Sequence, residues 1–236
     1  MEKFGLDRQM TTEKYLNRMK YKGTLDLTLE TLSLLQHAHV SSVPYENLDI
    51  MAGIEISLSI PALYDKIVHR KRGGYCFELN GLFAWLLMEL GFDTVELQGR
   101  WLKSEPIEIP LRRHRVSRTI IDGKQYICDV GVGLTAPKFP LLLEEGLEQE
   151  QEGEVYRIVY HPKMIWVVQE LLDGKWSNFY SFSEEPQIAI DYYLMHYHCV
   201  TYPKSIFRNS TMVYVRTEHS TASYCRKPAA ANTLLT

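Results

Sequence analysis

A chain of 236 residues with 45% hydrophobic and 23% charged side chains has the composition of a globular protein. At ~100–200 residues per domain it holds one large domain or two small ones, which excludes wholesale disorder. With 26 Lys+Arg against 29 Asp+Glu the formal charge is −3, so no nucleic-acid partner is expected.

Glu2, Lys3, Asp7 and Arg8 break up the start of the chain, so no secretory leader is expected. The longest strongly apolar run, 82–88, is far short of the ~20 residues that span a bilayer. A soluble, cytoplasmic protein with no membrane partner is the expectation. Cys76, Cys128, Cys199 and Cys225 show neither CxxC nor a zinc-type Cys/His spacing, which predicts free thiols and no metal.

The first ~90 residues read as helix. Thr11 or Thr12 with Glu13 opens a segment through Tyr15, Leu16 and Met19 that Gly23 stops. Thr28 opens a second, with Leu29, Leu32, Leu35 and His39 at helical spacing, ended by Ser41-Ser42-Val43-Pro44. Ser59-Ile60-Pro61 opens a third, through Lys66 and Ile67. A fourth, from about Cys76 to Leu90, is apolar nearly all round and therefore central and buried, with Gly91 as its stop.

Beyond Gly91 the period shortens. Thr94–Leu97, Val116–Ile121, Tyr126–Val130, Val155–Tyr160, Ile165–Leu172 and Trp176–Phe182 read as strands, with hairpin turns at Asp122-Gly123 and Asp173-Gly174. They predict an antiparallel sheet closed as a small barrel. The acidic run Glu144–Glu154 reads as an exposed loop, Asp191–His198 as a short helix, and Ser220–Thr236 as a loosely held tail.

The sharpest local feature is Arg72-Gly73-Gly74-Tyr75-Cys76-Phe77-Glu78. Two glycines bring the backbone in closely and set Cys76 in the first turn of the buried helix. There, unpaired N–H groups and the helix dipole favour a thiolate. A nucleophile needs a base, and the base an orienter. If Asp122-Gly123 is a two-residue turn, Ile121 faces Lys124, Val116 faces Asp129 and His114 faces Gly131. His114 and Asp129 then share one face as diagonal neighbours, while Cys128 points away. Nothing in the spacing brings Cys76 to this hairpin. A buried structural cysteine and a structural strand histidine remain alternative readings. His37 with His39, and His196 with His198, face different ways on their helices and read as structural.

Val43-Pro44-Tyr45-Glu46-Asn47-Leu48-Asp49, then Arg72 through Asn80 around Cys76, then His114 and Asp129-Val130-Gly131, resemble the arylamine N-acetyltransferases in the same order. The likeness runs from about Tyr15 to about Thr217. It implies an α+β fold in three parts: an N-terminal helical bundle carrying the nucleophile (1–92), a central antiparallel β-barrel carrying His and Asp (93–190), and a shortened C-terminal α/β lid with a divergent tail (191–236). The core would resemble cysteine peptidases and transglutaminases. It further implies a ping-pong reaction in which Cys76 takes an acetyl group from acetyl-CoA, with His114 as base and Asp129 as its orienter. The acetyl group would pass to an arylamine or arylhydrazine, or to the oxygen of an N-arylhydroxylamine. Gly131, Gly133 and Thr135 would contact CoA, and Tyr45 and Val132 would line the acceptor pocket. Tyr45 and Val132 stand where the family commonly has Phe, and Leu134 follows Gly133 where a second glycine is usual. A cysteine hydrolase or amidase using the same triad, and an inactive ligand-binding paralogue, are the alternatives.

Overall fold

A computed structural model describes residues 9–103, 109–133, 135–217 and 220–226. Helices α1 (Thr12–Arg18) and α2 (Leu29–Val40) begin where the sequence predicts. In each, the hydroxyl of the preceding threonine, Thr11 or Thr28, accepts from the backbone N–H three residues on. A two-residue strand β1 (Tyr45–Glu46) and a one-turn helix α3 (Leu48–Met51) follow, neither long enough to show a period.

The third expected helix is interrupted. It runs as α4 (Ile60–Tyr64) and then widens into a π-helical turn, Asp65–His69. In that turn Lys66 is buried, and its ammonium meets Asp49 and Glu78 at 2.8 Å each. The α-helical period thus gives way to a buried ion-pair cluster. Helix α5 (Cys76–Glu89) is central as its all-round apolar pattern requires, with its first nine residues all buried. Gly91, at φ +95°, ends it.

Strands β2 (Asp93–Trp101), β3 (His114–Ile121), β4 (Lys124–Cys128), β5 (Leu141–Leu142), β6 (Gln149–Gln151), β7 (Glu154–His161), β8 (Ile165–Leu172) and β9 (Lys175–Gln187) form one sheet in the order β5-β4-β3-β2-β9-β8-β7-β6. Asp122-Gly123 and Asp173-Gly174 adopt positive φ at both residues, as a two-residue hairpin turn of right-handed twist requires. The β3–β4 register is the one the sequence predicts, with Ile121 opposite Lys124 and Ser117 opposite Cys128.

The sheet curls until its two end strands meet, and side chains close the seam. The Gln149 amide accepts from Leu142 N at 2.8 Å and donates to Leu142 O at 3.0 Å; the Gln151 amide does the same with Phe139, at 3.0 Å each. Each glutamine copies the donor–acceptor pair that a neighbouring strand would present. The acidic run is therefore not a free loop, as the sequence suggested. Part of it is β6, Gln151 is buried, and Glu145 bridges Ile158. Residues 144–148 are exposed as expected, while in β6 the side chains alternate between seam and solvent.

A 3-10 turn (Ala189–Tyr192), α6 (Tyr193–Thr201) and α7 (Ile206–Asn209) lead to β10 (Thr211–Arg216) and β11 (Thr221–Arg226). These two strands and β1 form a second sheet in the order β1-β10-β11. The expected loose tail is corrected over Thr221–Arg226: six residues pair in register with β10, although every side chain is exposed. Main-chain pairing holds this strand without apolar burial, so its polar composition hides it. Residues 227–236 of that tail lie outside the described residues. No helix among the described residues is long and apolar enough to cross a membrane.

Candidate active site

Two sequence blocks build the floor of one cavity. Tyr45 of β1 bridges Gly74 in parallel fashion, and Glu46 N donates to Gly74 O at 2.9 Å. A β-carbon on Gly73 would lie 2.0 Å from Pro44 O, so only glycine lets the blocks lie this close. Arg72 adds ion pairs to Glu46 and Asp49 at 2.9 Å each. Asn47 reaches the other way. Its amide donates to Phe207 O and Ser210 O at 2.8 and 2.7 Å and accepts from Met212 N at 2.8 Å. The β10 side of the cavity is thereby tied to the turn that carries Cys76.

Cys76 occupies the first position of α5 after Tyr75, and the Glu78 carboxylate accepts from Tyr75 N at 3.2 Å. Burial pushes Glu78 up to about 7 against the pull of Lys66. On the barrel side, His114 Nε2 and Asp129 Oδ2 are 2.6 Å apart, both buried. Cys76 and His114 line one cavity of about 400 Å³. The structure thus brings Cys76, which the sequence left apart, into the cavity lined by His114, beside the His114–Asp129 pair that the hairpin register already placed on one face.

Asn80 completes the arrangement, and its role was not assigned from sequence. Its amide donates to Asp129 Oδ1 at 2.8 Å and to Arg115 O, and its oxygen accepts from Val130 N at 2.8 Å. Asp129 Oδ1 also accepts from Gly131 N at 2.8 Å. Asn80 lies one helical turn from Cys76, so the i,i+4 spacing was the available signal. The His114 ring packs between Tyr180, at 5.1 Å between centroids, and Trp101, at 6.2 Å.

The cysteine electrostatics correct one expectation. The helix N-terminus is expected to favour the thiolate, and the Phe77 N–H and Arg113 do act in that direction. Burial acts more strongly, and with Cys199 and Asp129 it pushes the Cys76 thiol well above its ordinary value. A buried charge is costly without a partner. The thiol therefore needs a proton acceptor in the cavity, and His114 is the imidazole placed there. Cys76 Sγ lies 3.9 Å from Arg113 O.

The remaining cavity wall is Tyr45, Trp101, Lys103, Arg113, Gly131, Val132, Thr135, Ile206, Phe207, Met212 and Tyr214. Val132 lines it as expected, and flat surface comes from Tyr45, Trp101, Phe207 and Tyr214. Gly131 and Thr135 face the same space. Gly133 lies outside this cavity, beneath the Tyr214 ring, whose Cδ2 would be 2.6 Å from an added β-carbon. Leu134 is outside the described residues.

Cys128, His37, His39, His196 and His198, read as structural, lie outside this cavity. Cys128 is buried on the far face against Thr119, and burial pushes it up to about 12. His37 stacks on Phe139. His39 sits between Tyr15 and Phe83, pushed down to about 3 by burial. His196 joins Tyr75 to Ile56 O.

The sequence pattern of a family described as "N-acetyltransferase" matches residues 28–225. This match continues past Thr217, where the sequence reading had the family pattern end. The arylamine N-acetyltransferase of Mycolicibacterium smegmatis is 36% identical over 209 residues, covering 86% of this chain and 76% of its own length. The solved arylamine N-acetyltransferase of Salmonella typhimurium superposes with a TM-score of 0.87 at 31% identity, covering 92% of this chain and 80% of that one. The Mycobacterium marinum arylamine N-acetyltransferase in complex with CoA superposes at 0.86 with 33% identity, covering 91% and 80%.

Proposed function

Because this chain belongs to the arylamine N-acetyltransferase family, we propose that it carries an acetyl group from acetyl-CoA to an arylamine through a thioester on Cys76. The observation that carries this reading is the shared cavity of Cys76 and His114, with Asp129 bonded behind the imidazole. Asp129 holds the proton on Nε2, which leaves Nδ1 to receive the thiol proton. The thiolate attacks the thioester carbonyl of acetyl-CoA. The C–S bond to CoA breaks, and the imidazolium returns its proton to the departing sulfur. In the second half the amine attacks the Cys76 thioester and gives a proton to His114. The Cys76 sulfur leaves and is reprotonated.

Gly131, Gly133 and Thr135 are assigned to the CoA arm, Gly131 and Thr135 from the cavity wall. The aromatic wall of Tyr45, Phe207 and Tyr214, with Val132, is assigned to the acceptor. An arylhydrazine or an N-arylhydroxylamine fits the same chemistry, since each offers a nucleophilic atom on an aryl frame. The helical, barrel and lid segments 1–92, 93–190 and 191–236 are proposed as its working parts. The free cysteines among the described residues suit a reducing compartment such as the cytoplasm.

Incubation with acetyl-CoA is expected to leave one acetyl group on Cys76, read by peptide mass spectrometry, and Cys76→Ala to abolish it. An unlabelled native chain would overturn the reading.

A further inference from the structure

The Glu78 carboxylate divides its two oxygens between donors on different elements. Oε1 takes the Lys66 ammonium at 2.8 Å, and Oε2 takes Tyr75 N–H at 3.2 Å. A glutamate at this place in a helix commonly reaches back to the N–H of the cap. Here the glutamate is 1% exposed, and its cation is itself buried, brought in by the π-helical turn Asp65–His69. Asp49 shares the same ammonium at 2.8 Å and is held in turn by Arg72. A buried ion pair adds little net stability, and π-helical turns inside helices are frequent at functional sites. The arrangement therefore calls for a role besides stability.

The amide that Glu78 holds lies immediately ahead of the nucleophile. Only the φ and ψ of Tyr75 separate that N–H from the peptide that enters Cys76. The Tyr75 carbonyl is fixed as well, accepting from Glu78 N at 2.9 Å and Leu79 N at 3.0 Å. The same glutamate presses on the preceding residue, since a β-carbon at Gly74 would lie 2.8 Å from Glu78 Cβ and 2.9 Å from Oε2. The turn thus sets both the entry of Cys76 into α5 and the direction of the Phe77 N–H, which favours the Cys76 thiolate. We propose that Glu78 is a positioning residue for Cys76: with one oxygen held by Lys66, it uses the other to fix the Tyr75 amide and so aims the sulfur into the cavity. This inference rests on the acetyl-transfer reading above.

The test uses three variants. Glu78→Gln keeps the shape but offers one oxygen where two are needed. The ammonium takes it, because a charge-assisted bond is the stronger, and the amide NH2 is left facing Tyr75 N–H. Lys66→Met combined with Glu78→Gln frees that oxygen for Tyr75 N–H. Lys66→Met combined with Glu78→Leu has the same net charge and no acceptor. Rapid-quench acetylation of Cys76 is followed over a range of acetyl-CoA concentrations, below the melting point of each sample. The maximal rate is expected to fall about tenfold in Glu78→Gln and in the Leu pair, the worth of one hydrogen bond, and to return to within about threefold of native in the Gln pair. The acetyl-CoA concentration at half-saturation should not move. A merely structural role makes the two paired variants equal, so equal rates there overturn the proposal, as does a native rate in Glu78→Gln. The paired variants decide the matter if Glu78→Gln alone does not fold. A native chain that acetyl-CoA does not label removes the transfer reading, whereas a labelled native chain with equal paired variants removes this inference alone.

Discussion

Gly131→Ala puts the geometry of the site to its most direct test. A β-carbon at Gly131 would stand 2.7 Å from Cys76 Cα, 3.1 Å from Cys76 Cβ and 2.6 Å from Asn80 Nδ2. Carbon atoms in contact rest about 3.5–4.0 Å apart, so the loop must retreat from α5 by roughly 1 Å. Neither side yields cheaply. Cys76 Cα is backbone at the start of a buried helix, and Asn80 is fixed by bonds to Asp129, Arg115 O and Val130 N. The retreat pulls on Gly131 N–H···Oδ1 of Asp129, and through Asp129 on the imidazole. Overpacking of this kind costs about 1–3 kcal/mol of stability. A displacement of about 1 Å at a reacting group costs on the order of 100-fold in rate. The assay is rapid-quench acetylation of Cys76 by acetyl-CoA, with a melting curve on the same sample. Acetylation at the native rate with a native melt would refute the contact of the Asp129 loop with α5.

Three further outcomes are expected. Asp129→Asn should keep the fold and slow Cys76 acetylation by about 10²–10⁴-fold, because the amide offers the wrong partner to Nε2–H; single-turnover kinetics decide it. Lys66→Met should cost about 3–5 kcal/mol in urea unfolding, since Glu78 is left buried without its cation and Asp49 keeps only Arg72, and a loss below about 1 kcal/mol would contradict the buried cluster. His39 is neutral in the fold, pushed down to about 3, so the unfolded chain binds its proton first. Its contribution is intact above about pH 6.5. It is lost as pH falls toward 3, at about 1.4 kcal/mol per unit. His39→Phe should flatten that acid limb of the stability profile, and an unaltered slope between pH 6 and 4 would count against the assignment.

The elements most legible in the sequence are those fixed by local chemistry. Thr11 and Thr28 mark helix starts because a hydroxyl cap is a local contact. Asp122-Gly123 sets the β3–β4 register because a two-residue turn leaves one pairing, and that pairing put His114 and Asp129 on one face. Other features depend on partners far along the chain. β1 forms its ladder with β10, near the other end of the chain. The meeting of Cys76 with His114 is of the same kind, since the helix and the hairpin are joined by Asn80 and Gly131 and not by any periodicity. The thiol's electrostatics were misjudged for a related reason. The helix end is visible in sequence, whereas the burial of the thiol, and Cys199 and Asp129 near it, are not.

The glutamine seam of the barrel carries a further consequence. A closed sheet has no free edge, but β5 and β6 are short, and their meeting rests on two side-chain amides. An incoming strand from another molecule would find its docking line there. Glu144, Glu145, Glu148, Glu150, Glu152 and Glu154 fall in the segment that carries β6, the last two paired with Lys138 and Arg216. A second copy approaching edge to edge would bring its own set against them, and charge on a short edge is a known guard against such pairing. The acidic run thus flanks a short closure of the barrel, where like charge disfavours edge pairing between two molecules.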